Sequence, residues 1–275
     1  MKTIALAAAA VLASVALGAQ SPVSGSFTSN GVTFDVAGAV AFNGPSALDK
    51  DNPAILVVVS NDRLNSGALA DFVDRKLAVE KLIKDDKTAV VYLEFTPQGK
   101  YRGLSYYFGS GNGCGYCTSE VASTVKLANG RLTGTLKGTE KARPFNVTLD
   151  VAVLNDTHGS PLPADGGAPG KAYLAYHAAL VKHDGAALKP TLSPGRVEVW
   201  NRANSKNDVG GYVNFLAEDH PLKGVKITRG WATADKASLL IEGQGEAGNV
   251  AGEVLLVNSK GAWGVDEELV DVVIK

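Results

Sequence analysis

Residues 155–167 read NDTHGSPLPADGG, and this stretch separates two regions with different hydropathy patterns. Asn, Asp, Gly, Pro and Ser favour turns, and no apolar period runs through the stretch, so it is typical of a linker. Strand patterns dominate before it, whereas helix patterns followed by strand patterns come after it. The sequence therefore predicts an α+β protein with two domains: a β-rich domain over residues 20–154, the linker over 155–167, and an α+β domain over 168–275.

Apolar and polar residues alternate in the region before the linker. Apolar side chains alternate with polar ones from Phe145 to Val153, which is the period of a half-buried strand. Asn129-Gly130 lies between two strand-like runs and favours a type I′ hairpin turn, because both residues tolerate positive φ. One helix is also expected, with Ser66 as its cap and apolar residues up to Ile83 on one face. We expect the remaining strands at 32–42, 55–59, 89–95 and 101–108. This set of predicted strands and one helix indicates a β-sandwich or barrel-like domain with one inserted helix.

The region after the linker begins with helices and ends with strands. A helix is predicted from Pro169 to Lys182, and Ser193-Pro194 is a favourable start for a second helix. Asp208 marks the start of a third. Strand patterns follow at 225–231, 237–243, 250–257 and 263–270.

This order of three helices and an antiparallel meander resembles the NTF2-like (SnoaL-like) cone superfamily. Residues 172–176 with 183–188 are similar to its first helix and the turn that follows, and residues 263–268 are similar to its closing strand. The resemblance implies a cavity between the sheet and the helices, in which an Asp or His of the family's enzymes acts as acid or base. No matching dyad motif is present, so no catalytic residue is assigned. The region before the linker resembles exported bacterial β domains, which implies no function.

Aromatic side chains and one histidine are the candidates for lining such a cavity. Aromatic residues at this spacing are also typical of an ordinary core, and both interpretations stay open. The candidates are Tyr173, Tyr176, His177, Trp200, Tyr212, Phe215, Trp231 and Trp263.

The first 19 residues predict a cleavable signal peptide and hence an exported protein, either periplasmic or secreted. Lys2 precedes an uncharged apolar run that ends in the small residues Gly18 and Ala19. Beyond residue 20 the longest apolar run is 54–59, which has the length of a strand, so no membrane span is expected in the mature chain. Removing Lys2 from 27 basic residues leaves 26 against 28 acidic ones. This balance gives no reason to expect nucleic acid as a partner.

The two cysteines lie close together, as Cys114 and Cys117. A redox-active Cys-x-x-Cys needs a helix N-terminus to stabilise its first thiolate, but here the motif follows glycines and precedes a strand pattern. A structural disulfide is therefore the favoured interpretation, with redox activity and metal binding as alternatives. Two cysteines alone do not complete a tetrahedral zinc site, and no metal or cofactor is expected.

Motifs for nucleophilic catalysis and for phosphate binding are missing from the sequence. There is no G-x-S-x-G, and no G-K-[ST] follows the glycines. His183 and His220 lie near predicted helix C-termini, where a structural role is expected. These absences favour an exported, non-catalytic binding or scaffolding protein of the bacterial cell envelope, with an unidentified protein or small molecule as its partner. The alternatives are a small-ligand-binding protein or enzyme that uses the cone cavity, and a thiol–disulfide protein that uses Cys114 and Cys117.

Overall fold

The computed structural model describes most of the chain that follows residue 22. The described ranges are 23–29, 32–46, 52–82, 88–108, 113–117, 120–138, 144–154, 158–217, 220, 223–245 and 248–272. The predicted signal peptide over residues 1–19 lies outside them. Among the helices in these ranges, none combines the length and the apolarity that crossing a membrane requires.

Strands dominate the described residues before position 155. They are β1 Ser24–Ser29, β2 Val32–Asp35, β3 Gly38–Pro45, β4 Pro53–Ser60, β5 Ala89–Phe95, β6 Tyr101–Phe108, β7 Gly113–Cys117, β8 Val121–Ser123, β9 Lys126–Ala128, β10 Arg131–Gly138 and β11 Phe145–Leu154. The helices of this part are α1 Ser66–Ala70 and α2 Arg75–Leu82. The mixed α+β composition expected from the sequence is confirmed.

These strands form one curled sheet in the order β2-β1-β11-β3-β4-β5-β6-β7, with β10 on β11 and with β8 and β9 on β10. The pairs are antiparallel except β11 with β3, which run parallel. The turn at Asn129 and Gly130 joins β9 to β10 with φ values of 49° and 69°, as a type I′ turn requires. The strand expected over 32–42 is two strands. Val36 donates its N–H to the carbonyl of Gly25 in β1, whereas Ala37 donates to that of Ser60 in β4, so the chain changes partner there.

The middle of this sheet is buried on both faces. On β4, Ile55, Val57 and Val59 pack inside the curled sheet with Phe27 and other apolar residues. The alternate residues of β4 pack on the opposite face, against α1 and α2. Burial on both faces explains why residues 54–59 form a continuous apolar run rather than an alternating one.

The prediction of a single inserted helix is wrong, because the chain forms α1 and α2 with a break over residues 71–74. Asp74 caps α2: its Oδ1 accepts the N–H of Leu77 at 3.0 Å. Glu253, far along the chain, accepts the N–H groups of Val73 and Asp74, each at 2.7 Å. The N–H groups at this break thus bond to side-chain carboxylates. In a continuous helix they would bond to main-chain carbonyl groups one turn earlier. Ile83, assigned to the same helix, lies outside the described residues.

Apart from the two-residue strand β12, helices precede strands in the rest of the chain, as predicted. The elements are β12 Ser160–Pro161, α3 Gly167–Val181, α4 Gly185–Leu188, a 3-10 turn Lys189–Thr191, α5 Pro194–Ser205, α6 Val209–Ala217, β13 Lys223–Ala232, β14 Lys236–Gln244, β15 Asn249–Ser259 and β16 Ala262–Val272. Ser193 caps α5 as expected, since its Oγ accepts the N–H of Arg196 at 3.2 Å. Strand β12 falls inside the predicted linker, because Ser160 pairs with Ala232 of β13.

The second sheet is antiparallel, in the order β12-β13-β14-β15-β16. Its inner face, which carries Leu239, Val254 and Val270, packs against α3 to α6. Its outer face carries the alternate residues. A register shift between Leu255 and Leu256 leaves Asp266 of β16 as an extra residue. Glu268 pairs with Val254 and therefore lies on the inner face, although Leu269 beside it lies on the outer one.

The outer face of β15 and β16 contacts the first part of the chain. Leu255 and Leu269 belong to the same apolar cluster as Phe42, Leu69 and Phe72. We call this contact the junction. The division into two domains stays a prediction.

A buried carboxylate lies in the junction. The side chain of Glu253 is fully buried, and it accepts hydrogen bonds from the N–H groups of Val73 and Asp74 and from the hydroxyl of Ser238. Glu253 therefore fixes, across the junction, the two residues that lead into α2.

Candidate functional site

Four polar side chains form a continuous hydrogen-bonded chain between the inner face of β16 and α3. The hydroxyl of Tyr173 donates to Oε1 of Glu268 at 2.9 Å. Nδ1 of His220 lies 2.8 Å from Oε2 of the same carboxylate. Nε2 of His220 lies 2.7 Å from Nδ1 of His177. We call His177, His220 and Glu268 the histidine relay.

Local structure explains how these residues meet. On α3, Tyr173, Tyr176 and Leu180 have the spacing of one helix face and are fully buried. His177 follows Tyr173 by one helical turn and lies at the edge of that face. The extra residue in β16 brings Glu268 to the inner face. His220 follows α6, where its N–H donates to the carbonyl of Ala217 at 3.3 Å.

Burial differs along the relay. The side chain of His220 is 0% exposed and that of Glu268 is 7% exposed, whereas His177 is half-buried. Nε2 of His177 makes no hydrogen bond to any residue that the structure describes. The relay therefore begins at a buried carboxylate and ends at a partly accessible imidazole.

The hydrogen-bond partners assign the ring proton that faces Glu268, whereas the proton between the two histidines depends on the charge of His220. A carboxylate accepts hydrogen bonds and donates none, so Nδ1 of His220 carries the proton that faces Glu268. Where His220 is neutral, its Nε2 accepts a hydrogen bond from Nδ1 of His177, and the lone pair of His177 lies on Nε2. Where His220 is protonated, its Nε2 donates to Nδ1 of His177 instead.

Electrostatics keep His177 unprotonated. Burial lowers the pKa of His177 below its ordinary value, and the neighbouring His220 lowers it further, while Glu268 raises it in part. Burial raises the pKa of Tyr173 well above its ordinary value, and Glu268 adds to that rise. At neutral pH the tyrosine is thus a hydrogen-bond donor to Glu268, and His177 is a free base.

Packing fixes the orientation of the rings. The ring centroids of Tyr173 and Tyr176 lie 6.4 Å and 5.8 Å from that of His220, and both contacts are edge-on. Arg196 of α5 donates to the hydroxyl of Tyr176 at 3.2 Å and to the main-chain carbonyl of Asp266. Burial raises the pKa of Tyr176, and Arg196 opposes that rise.

The eight residues expected to line a cavity have several different surroundings. Tyr173, Tyr176 and His177 come together at the relay. Trp200 and Tyr212 contact each other edge-on at 6.1 Å. They and Trp263 pack in the apolar cluster of the inner face.

Two of the eight do not belong to the inner face. Phe215 is 68% exposed, because it lies on the side of α6 that faces away from Val213 and the core. Trp231 pairs with Ser238, so it lies on the outer face of the sheet. These two candidates for cavity lining therefore lie apart from the inner face.

Sequence reasoning missed His220 and Glu268 as site residues. His220 was expected to have a structural role at a helix end, yet its ring is buried between His177 and Glu268. The position of Glu268 in the strand pattern could have indicated its burial. Glu268 lies two residues before the inner-facing Val270, which is the spacing of residues on one face of a strand. A carboxylate on a buried face requires partners.

The cysteine motif and metal binding were the other chemical candidates. The structure places the backbone of Cys114 and Cys117 in β7, but their side chains lie outside the described part, so the disulfide stays a prediction. Within the described ranges, no three His, Cys, Asp or Glu side chains converge as metal ligands would.

No family model, curated protein or solved structure matches this chain. The chemistry of the histidine relay follows from its geometry. With a neutral His220, the partly accessible imidazole of His177 has a free lone pair and is hydrogen-bonded through a second imidazole to a carboxylate. In this arrangement it can accept a proton and hold the resulting positive charge.

Proposed function

We propose that the protein is an exported acid–base enzyme that acts on a small molecule, with Nε2 of His177 as its proton acceptor. The hydrogen-bonded arrangement of His177, His220 and Glu268 carries this proposal. His220 and Glu268 are positioning residues. The pattern of residues 1–19 supports export.

The proposed step is a proton transfer. A substrate C–H or O–H gives its proton to Nε2 of His177, and the electron pair of the broken bond stays on the substrate. The imidazolium that forms keeps its Nδ1–H directed at Nε2 of His220. The carboxylate of Glu268 offsets the new positive charge through His220. His177 then returns the proton to the product or to water.

The C-terminal part is, in this proposal, an NTF2-like cone. The order of elements supports it: helices α3 to α6 come first, an antiparallel sheet follows, and aromatic side chains fill the space between them. The position of a proton-transfer group on the inner face agrees with the acid–base role that the resemblance implies.

The surroundings of His177 favour an apolar substrate. Leu174 and Val181 lie one helical turn before and after it, and they are 42% and 39% exposed. Exposed apolar side chains beside a polar group that can react are typical of ligand sites.

The test uses nitrobenzisoxazole, an apolar compound whose ring opens when a base removes its carbon-bound proton. We expect turnover that the variant His177→Ala reduces by about a hundredfold, within the range of general acid–base catalysis. The rate should rise with pH through the pKa of His177 and reach half its maximum below pH 6.5, the ordinary pKa of histidine.

The matched control is His183→Ala, which removes an exposed histidine just beyond α3 and should leave the rate unchanged. Glu268→Gln should lower the rate and alter the pH profile. The carboxylate accepts two hydrogen bonds, whereas the amide accepts at its oxygen but donates at its nitrogen. Turnover that is equal in His177→Ala and the wild type would contradict the proposal. A complete lack of turnover would favour the non-catalytic binding protein instead.

A further inference from the structure

Strand β13 has an open edge. Its pairing with β14 covers one side, whereas β12 reaches only Trp231 and Ala232 on the other, and Leu162 donates its N–H to Gly230. From Lys223 to Arg229 no described strand pairs on that side. A free edge offers main-chain N–H and C=O groups to an incoming strand.

The same segment is basic. Lys223, Lys226 and Arg229 are all exposed, and each pairs across the ladder with a residue of the outer face, so the three side chains lie on one side of the sheet. None of them forms an ion pair with another described residue. Glu242 lies opposite Lys226 in the ladder and is the acidic residue of β14. We call residues 223–229 the basic edge.

A hollow lies beside the basic edge. It has a volume of about 440 Å³, and its lining includes Lys223, Lys226, Glu242 and Asn249. Glu242 belongs to β14 and Asn249 to β15, so the hollow lies over the face of the sheet, on the β14 side of β13. An open edge and three cations that form no ion pair with a described residue therefore coincide in one region, and the three side chains lie on the face of the sheet opposite the histidine relay.

We infer that the basic edge binds an extended acidic peptide segment, which adds to the sheet as a further strand beside β13. Seven residues at about 3.3 Å each offer roughly 23 Å of edge, which is enough for an ordinary strand. Lysines on an edge prevent pairing with a second copy of the same basic strand, because like charges then lie opposite each other. With an acidic strand, opposite charges face each other and favour pairing. The inference does not depend on the proposed catalytic function.

The experiment measures binding of a fluorescent peptide of about eight residues in which Glu and Val alternate. Anisotropy should give saturable binding that weakens with added salt. The triple variant Lys223→Ala/Lys226→Ala/Arg229→Ala should weaken binding by about tenfold, the size expected for three exposed ion pairs. Hydrogen exchange of residues 223–229 should slow when the peptide is bound, since a new strand protects the edge amides.

The matched control is Lys182→Ala/Lys189→Ala/Lys206→Ala, which removes three exposed lysines from the helical side and should leave binding unchanged. A second peptide keeps the charge but carries proline at its central Val positions, so it cannot form a strand. Equal binding of both peptides would overturn the inference and indicate a general anion surface. Absence of binding, or equal loss in both triple variants, would overturn it as well.

Discussion

Replacing Leu269 with alanine tests the junction. Leu269 lies on the outer face of β16, is 9% exposed, and packs in the apolar cluster that includes Phe42, Leu69 and Phe72 of the first part. The substitution removes three buried carbon groups at about 0.8 kcal/mol each and leaves a cavity. We therefore expect the free energy of unfolding to fall by about 3 kcal/mol, within the range for buried leucines.

Two optical signals show whether this loss reaches both parts of the chain. All 3 tryptophans lie after residue 199, so their fluorescence reports the second part alone. Far-ultraviolet circular dichroism reports the strands of both parts. In denaturant titrations of wild type and variant, the two transitions should coincide and should shift together, because the parts share a core.

The matched control is Leu174→Ala, the same substitution at a position that is 42% exposed on α3. It should cost less than about 1 kcal/mol. A cost for Leu269→Ala no larger than that of Leu174→Ala would refute the burial argument. A shift seen in fluorescence alone would show that the junction does not couple the two parts.

Three further predictions concern titration, the cysteines and export. Burial raises the pKa of Glu253 above its ordinary 4.5, so the folded state binds this proton more tightly than the unfolded chain does. The stability of the wild type relative to Glu253→Gln should therefore decrease as pH rises from about 4.5 through the folded pKa, and a difference independent of pH would argue against this. Cys114→Ser with Cys117→Ser should cost about 1–2 kcal/mol in thermal unfolding and leave insulin reduction at background, because the closed loop is short; turnover that the double variant loses would favour a redox role. Mass spectrometry of the exported protein should find an N-terminus near Ala19 or Gln20, whereas an intact chain in an extracytoplasmic fraction would exclude cleavage.

Local signals predicted much of the fold. Ser193 followed by Pro194 predicted the start of α5 because a hydroxyl cap and a fixed proline φ act within one turn. Asn129-Gly130 predicted a hairpin turn because the turn depends only on the backbone preferences of two residues. Such features need no knowledge of distant partners.

The histidine relay could not be predicted in the same way. His220 is 43 residues from His177 and 48 residues from Glu268, so its meaning depends on how α3, α6 and β16 pack. Before that packing is known, a histidine after a helix is interpreted as a residue that interacts with the helix C-terminus. The break between α1 and α2 escaped prediction for the same reason, since Glu253 supplies the groups that bind there.

The hydrogen bonds from Val73 and Asp74 to Glu253 also constrain the order in which the chain reaches its final form. Val73 and Glu253 are 180 residues apart, so a ribosome must complete most of the chain before the residues that precede α2 can bind this carboxylate. Until then the apolar residues Leu69 and Phe72 have no β16 to cover them. Contacts of such long sequence separation form slowly, because loop closure precedes the energy that they contribute. The nascent first part therefore exposes apolar side chains to which a chaperone could bind. Its final folding requires the last strands of the chain.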